Sequence, residues 1–526
     1  TMKLKAFWLL WLILCCLPLC ALEGGIEADE GKVINPGIIG PGVNFSFSDY
    51  EYFNMITGDQ WDGIESRHVP FPGDTKEWDR FNALMDYAGF SYIRLCVGVN
   101  QWEPVNDNSD PWDTDLESGF IFSPGFRKAH PELPGETWLN DKAYMDALYR
   151  LLDRWTRQDK YVVLGNWDEG KGNFGGALGN WLKAPDAPKD RRALYCSIPE
   201  LTESLAAACR HLRRDKGFTC VKGVSFYNEP EGFDRYYDTL AEVYGTLGAQ
   251  LERLGVRDEI KIQAFDGAVF YSREKGWPED GVKRLLDRAG SNMDIVSCHD
   301  YWTCFDYEDP LPPRAQGTIK SFSEEKENGP AMEQIKEYCR THGREDIPFV
   351  IGELGAFAYS GKETDPASFK QRLHSAEYTA RAFNNGVKAV AFWVYNTNYH
   401  SAWRLITFDE NGNFCPDPVS YYPLALTMRY IPGGSHVFET RVTGCRDPQG
   451  AQRVWCCGAR KGKNTTLLVV NDGEAADIAL PAGFDGLRHL YVTDACKDRI
   501  YTAERRKDGT AHLEKESINV FTDLGY

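Results

Sequence analysis

The chain has 526 residues, 42% of them hydrophobic and 26% charged, which is enough apolar material for a large globular domain and a smaller second one. Its formal net charge is −18, and no stripe of Lys and Arg stands out. This argues against a nucleic-acid partner, because phosphate binding needs clustered positive charge. Aromatic residues make up 13% of the chain and favour a carbohydrate ligand only slightly, since rings that stack on sugars also fill cores.

The first 21 residues are typical of a signal peptide. Two lysines precede an apolar run over residues 6–19, and small residues follow at Cys20 and Ala21. The run is short for a membrane span, and no later segment reaches the roughly 20 apolar residues that a spanning helix needs. We therefore expect a protein that is secreted or periplasmic. A lipoprotein anchor at Cys20 is the alternative, although the residues before it fit that pattern poorly.

Between about residues 40 and 430, short β-branched or aromatic runs alternate with amphipathic helical patterns, as in an α/β fold. The predicted strands are Gly42–Phe47, Ser91–Val97, Tyr161–Asn166, Gly223–Asn228, Ile260–Phe265, Asp294–His299, Phe349–Glu353 and Ala389–Tyr395. The predicted helices are Trp78–Ala88, Lys142–Arg157, Leu201–Lys216, Tyr236–Leu254, Ala331–His342 and Ser368–Asn385. Glycines lie close after helix ends, where a left-handed cap is needed, at Gly89, Gly217, Gly255, Gly290, Gly343 and Gly386.

Strands and helices in this order predict a (β/α)8 TIM barrel. An open doubly wound sheet is the alternative, but no glycine-rich dinucleotide-binding turn follows the first strand. Three long segments follow predicted strands, namely Glu103–Asn140, Trp167–Ile198 and Trp302–Gly329. They are expected over the carboxyl-terminal face of the barrel, where barrel enzymes bind substrate. Whether they leave an open groove or block one end would decide between endo and exo action.

After Tyr430 the pattern changes to short strands separated by turns. These strands are Val437–Val442, Arg453–Cys457, Thr465–Val470, Asp477–Leu480, Leu487–Val492 and Ile518–Thr522. They predict a β-sandwich over residues 431–526, and a strand from before Gly40 is a candidate for completing it. The predicted organisation is thus a signal peptide over residues 1–21, a catalytic barrel over residues 22–430 and the sandwich.

The cysteines do not suggest a metal site. Of 15 cysteines, three belong to the predicted signal peptide, and the remainder are scattered without a zinc-binding spacing. Two interpretations stay open for the C-terminal region: disulfides among Cys445, Cys456, Cys457 and Cys496, or buried free thiols.

Two glutamates end hydrophobic strands, and buried acidic groups at such positions are costly unless they serve chemistry. Glu229 follows Asn228 at the end of the fourth predicted strand, and Glu353 ends the seventh. Both are therefore expected to face the same open end of the barrel. Retaining glycosidases need two carboxyl groups about 5–5.5 Å apart, one as acid/base and one as nucleophile. The nucleophile must stay ionised, for which Arg94 and the Tyr301 hydroxyl are candidate supports.

These residues resemble those of glycoside hydrolase clan A, most closely its family 5. The clan carries Asn-Glu at strand four, a nucleophilic Glu at strand seven, Arg at strand two, often His-x-Tyr at strand six and Trp at strand eight. The matching positions are Asn228-Glu229, Glu353, Arg94, His299-Asp300-Tyr301 and Trp393. Strand three differs, because family 5 members often have His there and this chain has Gly165-Asn166-Trp167. Related clan A families with an appended sandwich therefore remain alternatives.

The resemblance implies a retaining β-glycoside hydrolase that acts by double displacement and needs no metal or organic cofactor. Glu229 would be the acid/base and Glu353 the nucleophile. The implied substrate-binding residues are Arg94, Asn166, Trp167, Asn228, His299, Tyr301 and Trp393.

We expect a carbohydrate substrate and endo action on a β-glucan-like polysaccharide. The alternatives are an exo-acting β-glycosidase for mannosides, xylosides, galactosides or glycolipids, and a non-catalytic carbohydrate-binding surface protein. A metallohydrolase barrel using Asp266, His299 and Asp300 is disfavoured, since the first strand lacks a His-x-His pair.

Overall fold

The computed structural model describes residues 22–46, 75–133, 135–166, 182, 197–226, 228, 236–267, 285–303, 331–357, 368–395, 403–504, 506 and 508–525. The predicted signal peptide, the predicted acid/base Glu229 and the predicted substrate contact Trp167 lie outside these residues. Most of the predicted long segments 167–198 and 302–329 also lie outside them.

Eight parallel strands form a closed barrel in chain order, which confirms the predicted fold class. They are β2 (Gly40–Ser46), β3 (Tyr92–Val97), β4 (Tyr161–Asn166), β5 (Val221–Ser225), β6 (Lys261–Gly267), β7 (Ile295–Thr303), β8 (Phe349–Phe357) and β9 (Ala389–Phe392). β2 also pairs with β9, so the sheet has no free edge. The strands are buried on both faces, which explains why they appear in the sequence as nearly continuous apolar runs.

Helices connect and cover these strands. They are α1 (Thr75–Ala88), α2 (Phe126–Ala129), α3 (Gly135–Arg157), α4 (Ile198–Arg210), α5 (Tyr236–Arg253), α6 (Ala331–Thr341), α7 (Phe369–Asn384) and α8 (Tyr421–Arg429). The six glycines predicted after helix ends all have φ between 50° and 88°. Only glycine adopts this region without steric cost, so these residues end the helices sharply. Within the described residues, no helix is both long and apolar enough to cross a bilayer.

The inside of the barrel changes character from one end to the other. Its amino-terminal end is filled by an apolar cluster of Tyr92, Val163, Ile295, Val350, Ala389 and Ala391. The inward residues further along the strands are polar, among them the fully buried Arg94. The apolar floor keeps water away from the polar groups above it, and electrostatic interactions are stronger where water is excluded.

The C-terminal region forms a curled sheet of nine strands in the order β17-β16-β19-β14-β13-β12-β1-β15-β18. They are β1 (Leu22–Asn35), β12 (His436–Gly444), β13 (Val454–Lys461), β14 (Asn464–Asn471), β15 (Ala476–Ala479), β16 (Arg488–Thr493), β17 (Tyr501–Thr502), β18 (Thr510–Leu513) and β19 (Ser517–Thr522). A separate hairpin, β10 (Ile406–Phe408) with β11 (Phe414–Pro416), precedes α8. The β-rich C-terminal region was expected, and its strands belong to one hydrogen-bonded sheet.

The predicted strand from before Gly40 is β1. It pairs antiparallel with β12, for example Ile26 opposite Val442, and parallel with β15. One face of the curled sheet encloses its own apolar core around Phe438 and Phe521, and the other face contributes to the main core that also contains α7 and α8.

The cysteines of the described residues are free thiols. Cys456 and Cys457 are buried in β13, on opposite faces of the sheet, and burial raises the pKa of the Cys456 thiol to about 12. Of the two interpretations left open by the sequence, the structure therefore agrees with cysteines acting as small buried apolar side chains.

A buried polar network joins α7 to the curled sheet. Lys370 on α7 donates to Glu516 Oε1 at 2.9 Å and also to the carboxylate of Asp472, which is fully buried. His374, one turn further along α7, lies with Nε2 3.8 Å from Asp472 Oδ1. Because a buried charge is costly without a partner, these contacts fix the position of α7 on the sheet.

His374 makes the free energy of unfolding of the protein depend on pH. The side chain is fully buried beside Lys370, and burial together with that positive charge lowers its pKa to about 3. In the unfolded chain His374 has an ordinary pKa of about 6.5, so between pH 6.5 and 3 it is protonated in the unfolded chain and neutral in the folded one. The contribution of His374 is therefore complete above pH 6.5 and falls by at most about 1.4 kcal/mol per pH unit as the pH drops toward 3.

We expect the free energy of unfolding to fall less steeply between pH 6.5 and 4.5 in His374→Gln than in the wild type, measured by urea unfolding at each pH. His342→Gln, at an exposed position after α6, is the matched control and is expected to keep the wild-type profile. An unchanged slope in His374→Gln would contradict the assignment.

Candidate active site

Arg94 lies at the centre of a polar network inside the barrel. Its Nη1 donates to Glu353 Oε1 at 2.7 Å and to Asn44 Oδ1 at 3.1 Å. Its Nη2 donates to Asn228 Oδ1 at 2.8 Å, and its Nε donates to Asp266 Oδ2 at 3.1 Å. One guanidinium group thus connects β2, β6, β8 and Asn228, three residues after the end of β5, and the planar fork of Arg suits such multiple contacts.

Two carboxylates share the positive charge of Arg94. Burial alone would lower the pKa of Arg94, but Asp266 and Glu353 raise it above its ordinary value. Arg94 therefore stays charged at every physiological pH. A fixed cation 2.7 Å from Glu353 favours the ionised form of that carboxyl, which is the state that a nucleophile requires.

Asp266 reaches Arg94 because β6 is irregular at its end. The register with β7 shifts between Phe265 and Gly267, and Phe265 and Asp266 have φ of 85° and 40°. Two consecutive non-glycine residues with positive φ are strained, and such strain is typical of functional sites. The bulge turns the Asp266 carboxylate into the barrel. The sequence had suggested Asp266 only as a disfavoured metal ligand, and its contact with Arg94 was missed.

The environment of Asp266 keeps it ionised although it is completely buried. Burial would raise its pKa, but Arg94, His299 and the hydroxyls of Ser225 and Ser297 together lower it below the ordinary value. Gln263 Nε2 also donates to Asp266 Oδ1 at 2.9 Å. The site therefore contains one permanent cation and a carboxylate that balances it.

A second irregularity positions Glu353. The register between β7 and β8 shifts by one residue at Gly352, so that His299 pairs with Glu353. Val350 and Gly352 face the interior by alternation, and the extra residue brings Glu353 to the same side. Asn44 Nδ2 donates to the carbonyl oxygen of Gly352 at 2.8 Å and holds the bulge in place.

His299 lies between the two carboxylates. Its Nδ1 is 3.5 Å from Glu353 Oε2, and its Nε2 is 3.9 Å from Asp266 Oδ1. The side chain is completely buried. The sequence predicted a substrate-binding role for His299, which stays a prediction, and its distances to Glu353 and Asp266 make it part of the same network as Arg94.

The other predicted site residues do not all lie beside Arg94 and Glu353. Asn166 is completely buried, but alternation along β4 puts it on the helix-facing side with Val162 and Leu164, whereas Gly165 faces Arg94. Trp393 lies after β9 and packs with Cys96, Val394 and Trp403.

For Tyr301, the structure describes the backbone position on β7, paired with Gly355. The predicted substrate-binding roles of these residues stay predictions.

Gly352 gives a testable requirement of this geometry. A Cβ added there would lie 2.4 Å from Ser297 Oγ and 2.8 Å from Asp266 Oδ1, so the network has no room for it. We expect Gly352→Ala to destabilise the fold by about 1–3 kcal/mol and to lower kcat, because Asp266 and its partners must move. Gly245→Ala in α5 is the matched control, since a Cβ there meets open space and is expected to leave activity unchanged. Wild-type kcat in Gly352→Ala would contradict the packing argument.

Scans against protein-family models and curated proteins find no match. Among solved structures, the chain is similar to a GH30 endoxylanase from Clostridium papyrosolvens C71, with 12% identity and a TM-score of 0.56 over 95% of this chain and 100% of that one. It is also similar to an alpha-L-arabinofuranosidase from Thermotoga maritima, with 14% identity and a TM-score of 0.58 over 95% of this chain and 99% of that one.

A glucosidase from Croceicoccus marinus is similar too, with 11% identity and a TM-score of 0.56 over 95% of this chain and 99% of that one. At such low identities, these similarities show that the chain shares the fold of glycosidases with a barrel and a C-terminal β region. Function must be argued from the site itself.

Proposed function

We propose that the chain is a retaining glycoside hydrolase in which Glu353 is the nucleophile. The contact between Arg94 and Glu353 carries the proposal, because it places a fixed positive charge 2.7 Å from a buried carboxyl group at the inner surface of a barrel. The resemblance to clan A, which rests on Arg94, Asn228-Glu229, His299-Asp300-Tyr301, Glu353 and Trp393, supports the same chemistry. The fold shared with solved glycosidases supports it as well.

The proposed acid/base is Glu229. It follows Asn228 directly in the chain, and Asn228 is buried with its Oδ1 fixed by Arg94. In the first step Glu353 forms a bond to the anomeric carbon while Glu229 gives its proton to the departing oxygen. In the second step Glu229 removes a proton from water, which displaces Glu353 and releases the sugar with its original anomeric configuration.

The proposed substrate is a β-glucan-like polysaccharide cleaved internally. Solved structures with the same fold include an endoxylanase, arabinofuranosidases, and BuGH86 with bound neoagarooctaose, so the fold does not select one sugar. A screen should therefore contain β-glucans, xylan, mannan, galactan, agar and aryl glycosides, the α-L-arabinofuranoside included. Release of oligosaccharides supports endo action, and release of single sugars supports the exo-acting alternative.

Export from the cell remains part of the proposal. It is supported by the basic and apolar pattern of residues 1–21. Amino-terminal sequencing of the protein from the culture medium or periplasm tests it, and a mature chain starting close after Ala21 is expected. A protein that keeps these residues in the cytoplasm would contradict it.

The decisive test of the chemistry is the anomeric configuration of the first product, followed by NMR on the best substrate of the screen. Retention is expected, together with covalent labelling of Glu353 by a 2-deoxy-2-fluoro glycoside. Inversion would exclude double displacement, and labelling of Glu229 would reverse the two roles. Binding of carbohydrate without turnover would favour the non-catalytic alternative.

A further inference from the structure

Three carboxylates converge where the long segment after β3 meets the start of α4. They belong to Asp107, on that segment, and to Glu200 and Glu203, in the first turns of α4. One oxygen atom from each lies within 4.8 Å of the others. Oxygens that bind one Ca²⁺ at about 2.4 Å can be at most about 4.8 Å apart, so the three fit around a single ion.

Glu203 gives independent evidence for a ligand. Its side chain is 1% exposed, and both carboxylate oxygens are buried without a hydrogen-bond donor within normal distance. Its polar neighbours are the Thr114 hydroxyl and Arg253, whose Nη2 is 3.7 Å from Oε1, too far for a hydrogen bond. Arg253 already donates to Thr114 and to Gln250. A buried carboxylate normally accepts several full hydrogen bonds, so the long ion pair with Arg253 leaves acceptor sites on the Glu203 oxygens that a metal ion would fill.

Among the residues that the structure describes, negative charges outnumber positive ones around this site. Glu103 is also buried nearby, where it accepts a hydrogen bond from the Asp107 backbone N–H at 3.3 Å. Arg253 supplies one positive charge against the four carboxyl groups of Glu103, Asp107, Glu200 and Glu203.

We propose that Asp107, Glu200 and Glu203 bind a structural Ca²⁺ ion. The ligand set consists of oxygens only, which suits a hard cation and not zinc or copper. Ca²⁺ is favoured over Mg²⁺ because Mg²⁺ needs shorter distances of about 2.0–2.1 Å and a more regular octahedron.

The ion would tie the segment around Asp107 to α4. That segment is built by short-range hydrogen bonds, such as those from the backbone N–H groups of Asn108 and Asp115 to the Asp107 carboxylate. A bound ion would add a strong connection between this segment and α4 and so help to fix its position beside the barrel. This inference does not depend on the proposed hydrolase activity.

The test is calorimetric titration of the full chain with Ca²⁺ after removal of metals with EDTA. We expect the wild type to bind one Ca²⁺ and to unfold at a higher temperature as Ca²⁺ is added. Glu203→Gln is expected to raise the dissociation constant by at least about 10- to 100-fold, the loss that even an outer partner of a metal site causes. Glu117→Gln, an exposed carboxylate of the same segment, is the matched control and is expected to bind like the wild type.

The unfolding temperature of each variant in EDTA shows whether a loss of Ca²⁺ binding comes from the missing ligand or from a misfolded protein. Without Ca²⁺, Glu203→Gln is expected to be at least as stable as the wild type, since it removes a buried negative charge. Glu200→Gln, at a half-buried position, is the second variant and is expected to weaken binding as well. No binding to the wild type at about 10 mM Ca²⁺, tenfold above the weakest extracellular sites, would overturn the proposal. Wild-type affinity in Glu203→Gln would overturn it too, and equal affinity for Mg²⁺ would overturn the assignment to Ca²⁺.

Discussion

Replacing Glu353 with Gln is expected to lower kcat by at least about 10⁴-fold, as loss of a nucleophile does in other covalent enzymes. Gln keeps the shape of the side chain and an oxygen that can accept from Arg94, but it cannot form the glycosyl intermediate. The free energy of unfolding should change far less than the rate. Hydrolysis of the best aryl glycoside and urea unfolding measure the two effects separately.

A matched control and a rescue experiment make this result specific. Glu345→Gln removes an exposed carboxylate shortly before β8 and is expected to retain full activity. In Glu353→Ala, added azide is expected to restore turnover by occupying the space of the carboxylate, and the glycosyl azide should have the inverted configuration. Activity of Glu353→Gln within a few-fold of the wild type would end the assignment of Glu353 as nucleophile.

The second large effect is expected from Arg94→Met. The change leaves Asp266 and Glu353 buried without their cation, and breaking a buried ion pair in this way costs about 3–5 kcal/mol of stability. We also expect kcat to fall on the order of 10²–10³-fold, as for the loss of one fixed donor in an active site. Both are measured at a temperature at which the variant is folded.

The double variant Arg94→Met/Asp266→Asn separates charge balance from catalysis. Removing the Asp266 charge should recover part of the lost stability, whereas kcat should stay low because Glu353 still lacks its cation. Arg157→Met is the control, since that arginine pairs with Asp153 on the surface, where such pairs contribute about 0–1 kcal/mol. Equal stability losses for Arg94→Met and Arg157→Met would contradict the central role of Arg94.

The barrel could be predicted from the sequence because its signals are local. Each strand is buried on both faces and is therefore an apolar run, and glycines at positions such as Gly89 and Gly386 end the helices between strands. Strand order also places Arg94 and Glu353 at the same end of the barrel, which is why the sequence suggested Arg94 as a support for Glu353. The C-terminal β region was recognisable in the same way, from short runs separated by turns.

The remaining partners of Arg94 depend on register, which a single strand does not reveal. Asp266 turns inward only because of the bulge at Phe265, and Glu353 shares its side of β8 with Gly352 because of another. Asn44 was not among the predicted site residues, and its contact with Arg94 also depends on which side of the first barrel strand it faces. Alternation along β4 is itself enough to place Asn166 on the helix-facing side, since Leu164 and Gly165 define the two faces of the strand.

The place of β1 in the curled sheet has a consequence for how the chain folds during synthesis. β1 precedes the barrel, yet its partner β12 begins at His436, so that Gly24 meets Gly444 only after the whole barrel has been made. Such distant pairing slows folding and leaves an unpaired strand exposed to other chains in the meantime. A nascent chain stalled before β12 is made should therefore contain β1 without its antiparallel partner, and β1 should become protected from hydrogen exchange only after the last strands have left the ribosome.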